Sequence, residues 1–211
     1  MKLTHCDIYL FWPNIIGYVR VICLLISCMS FMKNPYIAII SYIVSIGMDA
    51  IDGKVARAFN QSTIFGGYLD MITDRCTTMS LVSFLMIFYP RYALFFVLVN
   101  VIDMSSHWSH VHSNAVMGNQ THKSVKKEEN IILSYYYSNK NFFYSACIFS
   151  EGFYVWMYIL NFVPIFLVKL MVYFTFPFAL LKIFINLVQL KVASDQLISL
   201  DVKNRNQNVE K

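Results

Sequence analysis

Residues 49–74 read DAIDGKVARAFNQSTIFGGYLDMITD, and this stretch determines how the surrounding chain must be organised. Its four aspartates lie between strongly apolar runs, in a chain that is 57% hydrophobic. Charged groups embedded in such a sequence are costly and need partners. Asp49 and Asp52 are three residues apart, and Asp70 and Asp74 are four apart, so each pair projects from one face of a helix. We therefore expect two helices whose acidic faces meet.

The residues around the aspartates predict a site for cations and phosphate. Four carboxylates at a shared point repel one another, and hard divalent ions prefer oxygen ligands. Gly53 and Gly66 allow close approach of a helix or a bulky ligand, Arg57 can bind a phosphate with two donors, and Thr63 offers a hydroxyl. With one carboxylate acting as a base, this set is typical of phosphoryl transfer.

Two other interpretations of the same stretch are a salt-bridged seam between helices and a cation pathway. A seam needs balanced charge, whereas four acids here have one nearby arginine, Arg57. A cation pathway has no use for that arginine or for the two glycines beside the acids. Both interpretations are therefore less favoured than the phosphate site.

Composition places the chain among membrane proteins. It has 211 residues, a mean hydropathy of +0.52 and only 14% charged residues. The net charge of +5 falls mostly in loops and the tail, where membrane topology and anionic lipids explain it better than nucleic acid does. Five scattered cysteines show no disulfide or metal-binding spacing, which predicts buried free thiols.

The apolar pattern predicts an all-α membrane domain over residues 1–193. Residues 1–12 suit an interfacial segment, 113–130 a polar loop, and 194–211 a polar cytosolic tail of low order. Lipid-exposed backbone must be internally hydrogen-bonded, so the membrane spans should be helices. Six are predicted, over residues 15–32, 36–58, 66–88, 92–112, 142–162 and 165–190.

The distribution of basic residues predicts the orientation. In this six-span arrangement eleven Lys and Arg residues fall on the side of the termini, and three, Lys33, Arg91 and Lys169, fall on the other. Basic loops stay in the cytosol. Both termini and the aspartates should therefore face the cytosol.

The stretch resembles the CDP-alcohol phosphatidyltransferases. Their motif, D-x2-D-G-x2-A-R-x8-G-x3-D-x3-D, is matched at every fixed position, by Asp49, Asp52, Gly53, Ala56, Arg57, Gly66, Asp70 and Asp74. Within this family the chain is most similar to the eukaryotic-type phosphatidylinositol synthases, over nearly its whole length. Further segments carry that similarity, among them Pro13-Asn14, Arg20, Ser106-His107-Trp108, Thr121-His122-Lys123 and Tyr135-Tyr136-Tyr137.

The resemblance implies a reaction and a set of roles. An inositol hydroxyl would attack the phosphorus attached to diacylglycerol in CDP-diacylglycerol, and CMP would leave without a covalent enzyme intermediate. Mg or Mn would be held by Asp49, Asp52, Asp70 and Asp74, with Asp74 also acting as general base. The implied contacts to CDP-diacylglycerol come from Asp52, Gly53, Ala56, Arg57 and Thr63, and those to inositol from Arg75 and His107.

The resemblance also implies an endoplasmic reticulum membrane enzyme, with a homodimer as the family expectation. Three pairs depart from its pattern: Thr63-Ile64, Leu133-Ser134 and Ser150-Glu151 stand where Thr-Arg, Leu-Arg and Asn-Glu are expected. These changes bear on how the alcohol or the lipid phosphate is held.

Two alternative functions stay open besides transfer to inositol. They are a related transferase that uses glycerol phosphate or serine, and a divalent-cation transporter. Arg20, a lone charge in the first span, is either functional or the partner of another buried charge.

Overall fold

A computed structural model describes residues 4–117 and 131–209, and every regular element in those ranges is helical. The prediction of an all-α protein is confirmed. The elements are α1 (His5–Tyr9), α2 (Trp12–Ser30), α3 (Pro35–Ala58), α4 (Ile64–Phe88), a 3₁₀ turn (Pro90–Tyr92), α5 (Ala93–Val116), α6 (Ile131–Ser138), α7 (Lys140–Phe162) and α8 (Phe166–Val209).

The chain forms two compact units, Met1–Pro90 and Arg91–Lys211. Among the described helices, α2, α3, α4 and the part of α8 over Phe166–Gln207 are long and apolar enough to cross a membrane. Helices α5 and α7, with 24 and 23 residues, have the length of a span but are less apolar. The structure thus supports four candidate spans where the sequence predicts six.

In the first unit, helix starts follow the capping signals of the sequence. Asn34 caps α3, since its side-chain oxygen accepts hydrogen bonds from the backbone N–H of Tyr36 and Ile37, and Pro35 occupies the first turn. Helix α4 begins at Ile64, two residues before the predicted start at Gly66, because Thr63 provides its N-cap. The connection between α3 and α4 is therefore short.

Helix α3 ends in a Schellman arrangement. Asn60 has a φ of 54°, and the N–H of Gln61 donates to the carbonyl of Ala56 at 2.8 Å. The side-chain oxygen of Gln61 then accepts from the N–H of Trp12 at 3.0 Å. This turn thereby fixes the start of α2 against the α3–α4 connection.

Small side chains allow α2 to pack closely in the first unit. Ser27 Oγ donates to the carbonyl of Ala38 at 2.8 Å, and Ser45 Oγ donates to the carbonyl of Arg20 at 3.1 Å, and both hydrogen bonds join α2 to α3. A Cβ atom added at Gly17 would lie 2.7 Å from Leu69 Cδ2 of α4. Small residues in this position are typical of closely packed membrane helices.

The predicted interfacial segment contains the short helix α1, which a capping box stabilises. Hydrogen bonds from the backbone and side chain of Thr4 to the Asp7 carboxylate lower the pKa of Asp7. Residues 1–3 of this segment lie outside the described part of the chain. Its location at a membrane interface stays a prediction.

In the second unit, α8 pairs with α5 through polar side chains. Asn186 Nδ2 donates to Asp103 Oδ1 at 2.9 Å, and Ser113 Oγ donates to Gln196 Oε1 at 2.9 Å. An apolar cluster joins α6, α7 and α8 and consists of Leu133, Tyr136, Ala146, Ile185 and Val192. Polar and apolar contacts thus both hold α8 in this unit.

The prediction of a low-order tail from Ser194 onward was wrong as far as Val209, because α8 continues through these residues. Neither glycine nor proline interrupts residues 178–209. Val192, Ala193 and Gln196 are also buried, so packing supports the helix beyond its apolar part. The point where the sequence of α8 becomes polar indicates where the helix leaves an apolar environment. The helix itself can continue beyond that point.

The predictions of a loop over residues 113–130 and of buried cysteines agree only partly with the described structure. Helix α5 extends to Val116, into the predicted loop 113–130, and residues 118–130, including Thr121-His122-Lys123, lie outside the described part. All five cysteines are free, as predicted, but none is buried: Cys6 and Cys76 are exposed, and Cys23, Cys28 and Cys147 are half-buried.

Candidate functional site

Arg20 lies among all four motif aspartates. Its Nη1 is 2.5 Å from Asp52 Oδ2 and 2.8 Å from Asp70 Oδ1. Its Nη2 is 2.8 Å from Asp49 Oδ1 and also forms an ion pair with Asp74 Oδ1. The Arg20 residue is only 1% exposed. One guanidinium therefore contacts carboxylates from two different helices.

Three helices of the first unit build this cluster. Helix α2 supplies Arg20, the last turns of α3 supply Asp49 and Asp52, and the first half of α4 supplies Asp70 and Asp74. The expected meeting of two acidic helix faces is confirmed by their shared arginine. Helix spacing predicted which carboxylates share a face. The packing of α2 against α3 and α4 places the positive charge of Arg20 among these carboxylates.

The cluster has an excess of negative charge. Four ionised carboxylates contact Arg20, and Arg75 lies 3.9 Å from Asp74, so two negative charges stay uncompensated. Charges removed from water need compensation at close range. Arg20 alone does not supply it, so the cluster retains a strong attraction for cations.

The carboxylate geometry fits a metal ion. Asp49, Asp70 and Asp74 each offer one oxygen, and these oxygens lie within 4.8 Å of one another. Their side chains are 40%, 37% and 32% exposed, whereas that of Asp52 is 11% exposed. In the described ranges no other group of three or more His, Cys, Asp or Glu residues meets this condition. These oxygen donors suit Mg or Mn. The role of Asp52 as a fourth ligand stays a prediction.

Sequence reasoning identified Arg20 as a buried charge but did not place it at the acids. The available signal was the charge imbalance, since the cluster needs a cation and Arg20 is the one basic residue of α2. Periodicity does not tell which turn of α2 faces the two other helices. Only the packing of the three helices does so.

The predicted nucleotide-binding residues lie along the end of α3 and the start of α4. Arg57 is exposed, and its side chain runs back along α3, so that a Cβ atom added at Gly53 would lie 3.6 Å from Arg57 Nη1. Ala56 is half-buried on the same helix. Among the residues that the structure describes, no carboxylate forms an ion pair with Arg57. Its guanidinium is thus available for an anion.

Thr63 also has a structural role, which was not predicted from the sequence. Its Oγ1 accepts a hydrogen bond from the backbone N–H of Gly66 at 3.0 Å and caps α4. A hydroxyl that accepts one hydrogen bond still has its own proton to donate. The predicted contact of Thr63 with a ligand is therefore compatible with capping.

Gly66 faces a neighbouring helix. A Cβ atom at this position would lie 3.0 Å from Asn14 Oδ1 and 3.1 Å from Thr63 Oγ1. Asn14 is 1% exposed, and its Nδ2 donates to the carbonyl of Ile8 at 2.6 Å, which orients the amide. Of the two explanations for this glycine, the approach of another helix is therefore the one that the geometry supports.

The two predicted inositol contacts have protein partners. Arg75 Nη2 lies 3.9 Å from Asp74 Oδ2, a long ion pair with the motif. His107 belongs to the second unit, where Nδ1 donates to the backbone carbonyl of Asp103 at 2.8 Å and lies 3.6 Å from Asp103 Oδ1. Both inositol assignments stay predictions.

Fold and site together define a class: a helical protein with segments apolar enough to span a membrane and an aspartate cluster that can hold a metal ion. Within that class the chain belongs to the CDP-alcohol phosphatidyltransferase family, whose model matches residues 10–149. The matched range includes all eight motif residues. The resemblance seen in the sequence is thereby confirmed.

Similar proteins are each named CDP-diacylglycerol–inositol 3-phosphatidyltransferase. The one from Candida albicans is 38% identical over 200 residues, which cover 95% of this chain and 87% of that protein. The one from Homo sapiens is 38% identical, with 94% and 96% covered. The one from Saccharomyces cerevisiae is 36% identical, with 98% and 94% covered. No solved structure matches the chain.

Proposed function

We propose that this protein transfers the phosphatidyl group of CDP-diacylglycerol to myo-inositol, giving phosphatidylinositol and CMP. The observation that carries the proposal is the motif itself, whose aspartates converge in space as the reaction requires. The relatives described above carry the name of this reaction and match the chain over nearly its full length.

Asp74 is proposed as the general base. One of its carboxylate oxygens pairs with Arg20, the other lies 3.9 Å from Arg75 Nη2, and the side chain is 32% exposed. An accessible carboxylate of this kind can take the proton of an inositol hydroxyl. The hydroxyl oxygen bonds to the phosphorus attached to diacylglycerol, the bond from that phosphorus to the CMP oxygen breaks, and CMP leaves with the electron pair.

Asp49, Asp52, Asp70 and Asp74 are proposed to hold one or two Mg or Mn ions. Such an ion, when bound, neutralises the diphosphate and lowers the energy of the departing CMP. The uncompensated charge of the cluster and the 4.8 Å grouping of three of its oxygens support this assignment. Asp52, the most buried of the four, also pairs with Arg20, at 2.5 Å.

The CDP-diacylglycerol headgroup is proposed to lie along the end of α3. Gly53 and Ala56 carry no large side chain, and the exposed Arg57, whose guanidinium lies beside Gly53, can bind a phosphate oxygen pair. Asp52 and the Thr63 hydroxyl complete the proposed set. Arg75 and His107 are proposed to contact inositol.

The membrane arrangement is proposed from charge distribution and helix length. Helices α5 and α7 would cross together with the four more apolar helices, giving six spans. The excess of Lys and Arg puts both termini, residues 194–211 and the aspartate cluster at the cytosolic face. The proposed membrane is that of the endoplasmic reticulum, where a water-soluble alcohol can meet a lipid-embedded donor, and a homodimer is proposed as the family expectation.

The experiment uses the purified full-length protein with CDP-diacylglycerol, Mg²⁺ or Mn²⁺, and labelled inositol, glycerol phosphate or serine. We expect labelled lipid from inositol, CMP in equal amount, and no product when the ions are chelated. Lipid from glycerol phosphate or serine would contradict the proposed acceptor. Cation flux in proteoliposomes without any release of CMP would contradict the enzyme itself.

A further inference from the structure

The guanidinium of Arg20 occupies the centre of the acid cluster. Its two Nη atoms together contact four carboxylates, while its Nε is buried and has no hydrogen-bond partner within the described residues. The backbone of Arg20 is held through its carbonyl by Ser45 Oγ at 3.1 Å. Both ends of the residue are thus positioned, and its charged end depends entirely on the aspartates.

The three carboxylates that can group around a metal ion are all bound to this guanidinium. Nη2 contacts Asp49 and Asp74, and Nη1 lies 2.8 Å from Asp70. A divalent cation brought to the same three carboxylates meets a positive charge within a few ångströms. Repulsion between the two positive charges at that distance weakens binding of the ion in a partly desolvated site.

We propose that Arg20 is an internal counter-cation that orders the four carboxylates before metal binds and competes with the metal for them. This inference rests on the metal-binding part of the proposed function. Arg20 acts as a positioning residue, because it would act through the aspartates. Binding of a divalent ion would require the guanidinium to give up some of its carboxylate contacts. Arg20 would therefore order the metal-free cluster but lower its affinity for the ion.

Arginine suits the role of an internal counter-cation better than lysine does. A planar guanidinium presents donors in a fixed fork and can contact several carboxylates at once, whereas an ammonium is a compact point charge. Removing the cation from a buried ionic cluster leaves uncompensated charges and is strongly destabilising. The metal-free protein should therefore depend on Arg20 more than the metal-bound protein does.

The test compares the wild type with Arg20→Gln, using Mn²⁺ as the probe. Free Mn²⁺ is measured by electron paramagnetic resonance on full-length protein in detergent, and the melting temperature is measured with chelator and with saturating Mn²⁺. For Arg20→Gln we expect a lower melting temperature in chelator, a larger rise on adding Mn²⁺, and at least about tenfold tighter Mn²⁺ binding. A residue that merely supported the fold would show weaker binding instead.

Two further variants accompany this test. Lys191→Gln removes an exposed ion pair with Asp195, 2.7 Å long and outside the cluster, and should bind Mn²⁺ as the wild type does. Arg20→Lys keeps the charge but contacts fewer carboxylates, so its affinity should fall between those of the wild type and Arg20→Gln. If Arg20→Gln does not fold, Arg20→Lys decides the question by the same criterion.

Binding that is unchanged or weaker in the Arg20 variants, with a wild type that binds Mn²⁺, overturns the competition and leaves the proposed function untouched. Binding by Arg20→Gln where the wild type shows none supports the competition. Absence of binding from every protein overturns both this inference and the metal assignment. Transfer to inositol is measured separately and tests the remaining part of the proposed function.

Discussion

Asp74 has two tasks in the proposed mechanism, as a metal ligand and as the proton acceptor. The structure places it between two cations, with Arg20 at one carboxylate oxygen and Arg75 3.9 Å from the other. These neighbours orient the carboxylate. Because its side chain is also 32% exposed, an alcohol can approach it from the accessible side.

Asp74→Asn should abolish most of the turnover while CDP-diacylglycerol still binds. The amide keeps an oxygen that can accept from Arg20 but is no longer a base, and general-base contributions are typically about 10²–10⁴-fold. We expect CMP release to fall at least about a hundredfold and donor affinity to change by only a few-fold. Both are measured on purified protein, by CMP assay and by calorimetric titration.

The matched control is Asp195→Asn, the same chemical change at an exposed helix position paired with Lys191. It should retain wild-type turnover. Near-normal CMP release from Asp74→Asn would refute the assignment of the base.

At the scale of the element, the start of α4 determines the position of the second aspartate pair. Thr63 caps the helix, and Gly66 lets the buried Asn14 of α2 approach it. Neither neighbour can move freely, since Asn14 donates to Ile8 at 2.6 Å and Thr63 accepts from Gly66 at 3.0 Å. The first turn of α4 is thus sensitive to any added side chain on this face.

Gly66→Ala should lower the melting temperature, and Gly67→Ala should not. A Cβ atom at Gly66 meets Asn14 Oδ1 at 3.0 Å, and overpacking costs about 1–3 kcal/mol. A Cβ atom at Gly67 has no neighbour within 4 Å in the described structure, and alanine gains about 1 kcal/mol of helix propensity over glycine. Thermal unfolding monitored in detergent checks the pair. Equal melting temperatures for the two variants would show that the contact with Asn14 is unimportant.

At the scale of the whole molecule, the number of spans determines on which side of the membrane each connection lies. With six spans the segment before α7 is cytosolic. With only the four more apolar helices crossing, that segment is on the opposite side, while the C-terminus is cytosolic in both arrangements. The exposed Lys140 at the start of α7 therefore distinguishes them.

Single cysteines at residues 140 and 33 provide the test, in a background where the five native cysteines are replaced. In sealed membrane vesicles with the cytosolic face outward, Lys140→Cys should react with a membrane-impermeant maleimide. Lys33→Cys, exposed between α2 and α3, should react only after permeabilisation. Protection of both positions would contradict six spans and favour four.

Much of this protein was predictable from short-range patterns in its sequence. Helix spacing paired the aspartates, Asn34-Pro35 marked the start of α3, and composition indicated membrane helices. The eight matched motif positions identified the family, which the comparison over residues 10–149 confirms. Each of these features depends on neighbours along the chain or on fixed spacings, which a sequence displays directly.

The tertiary structure decided what depends on contacts between distant residues. It placed Arg20 within reach of all four aspartates and showed that Gly66 makes room for Asn14. It also extended α8 to Val209 through the buried Val192 and Ala193. Spacing tells which residues of a helix share a face, but the rotation and separation of packed helices determine which faces meet. The sequence alone therefore determined the acids, the family and the helical class, and only packing revealed the cation at their centre.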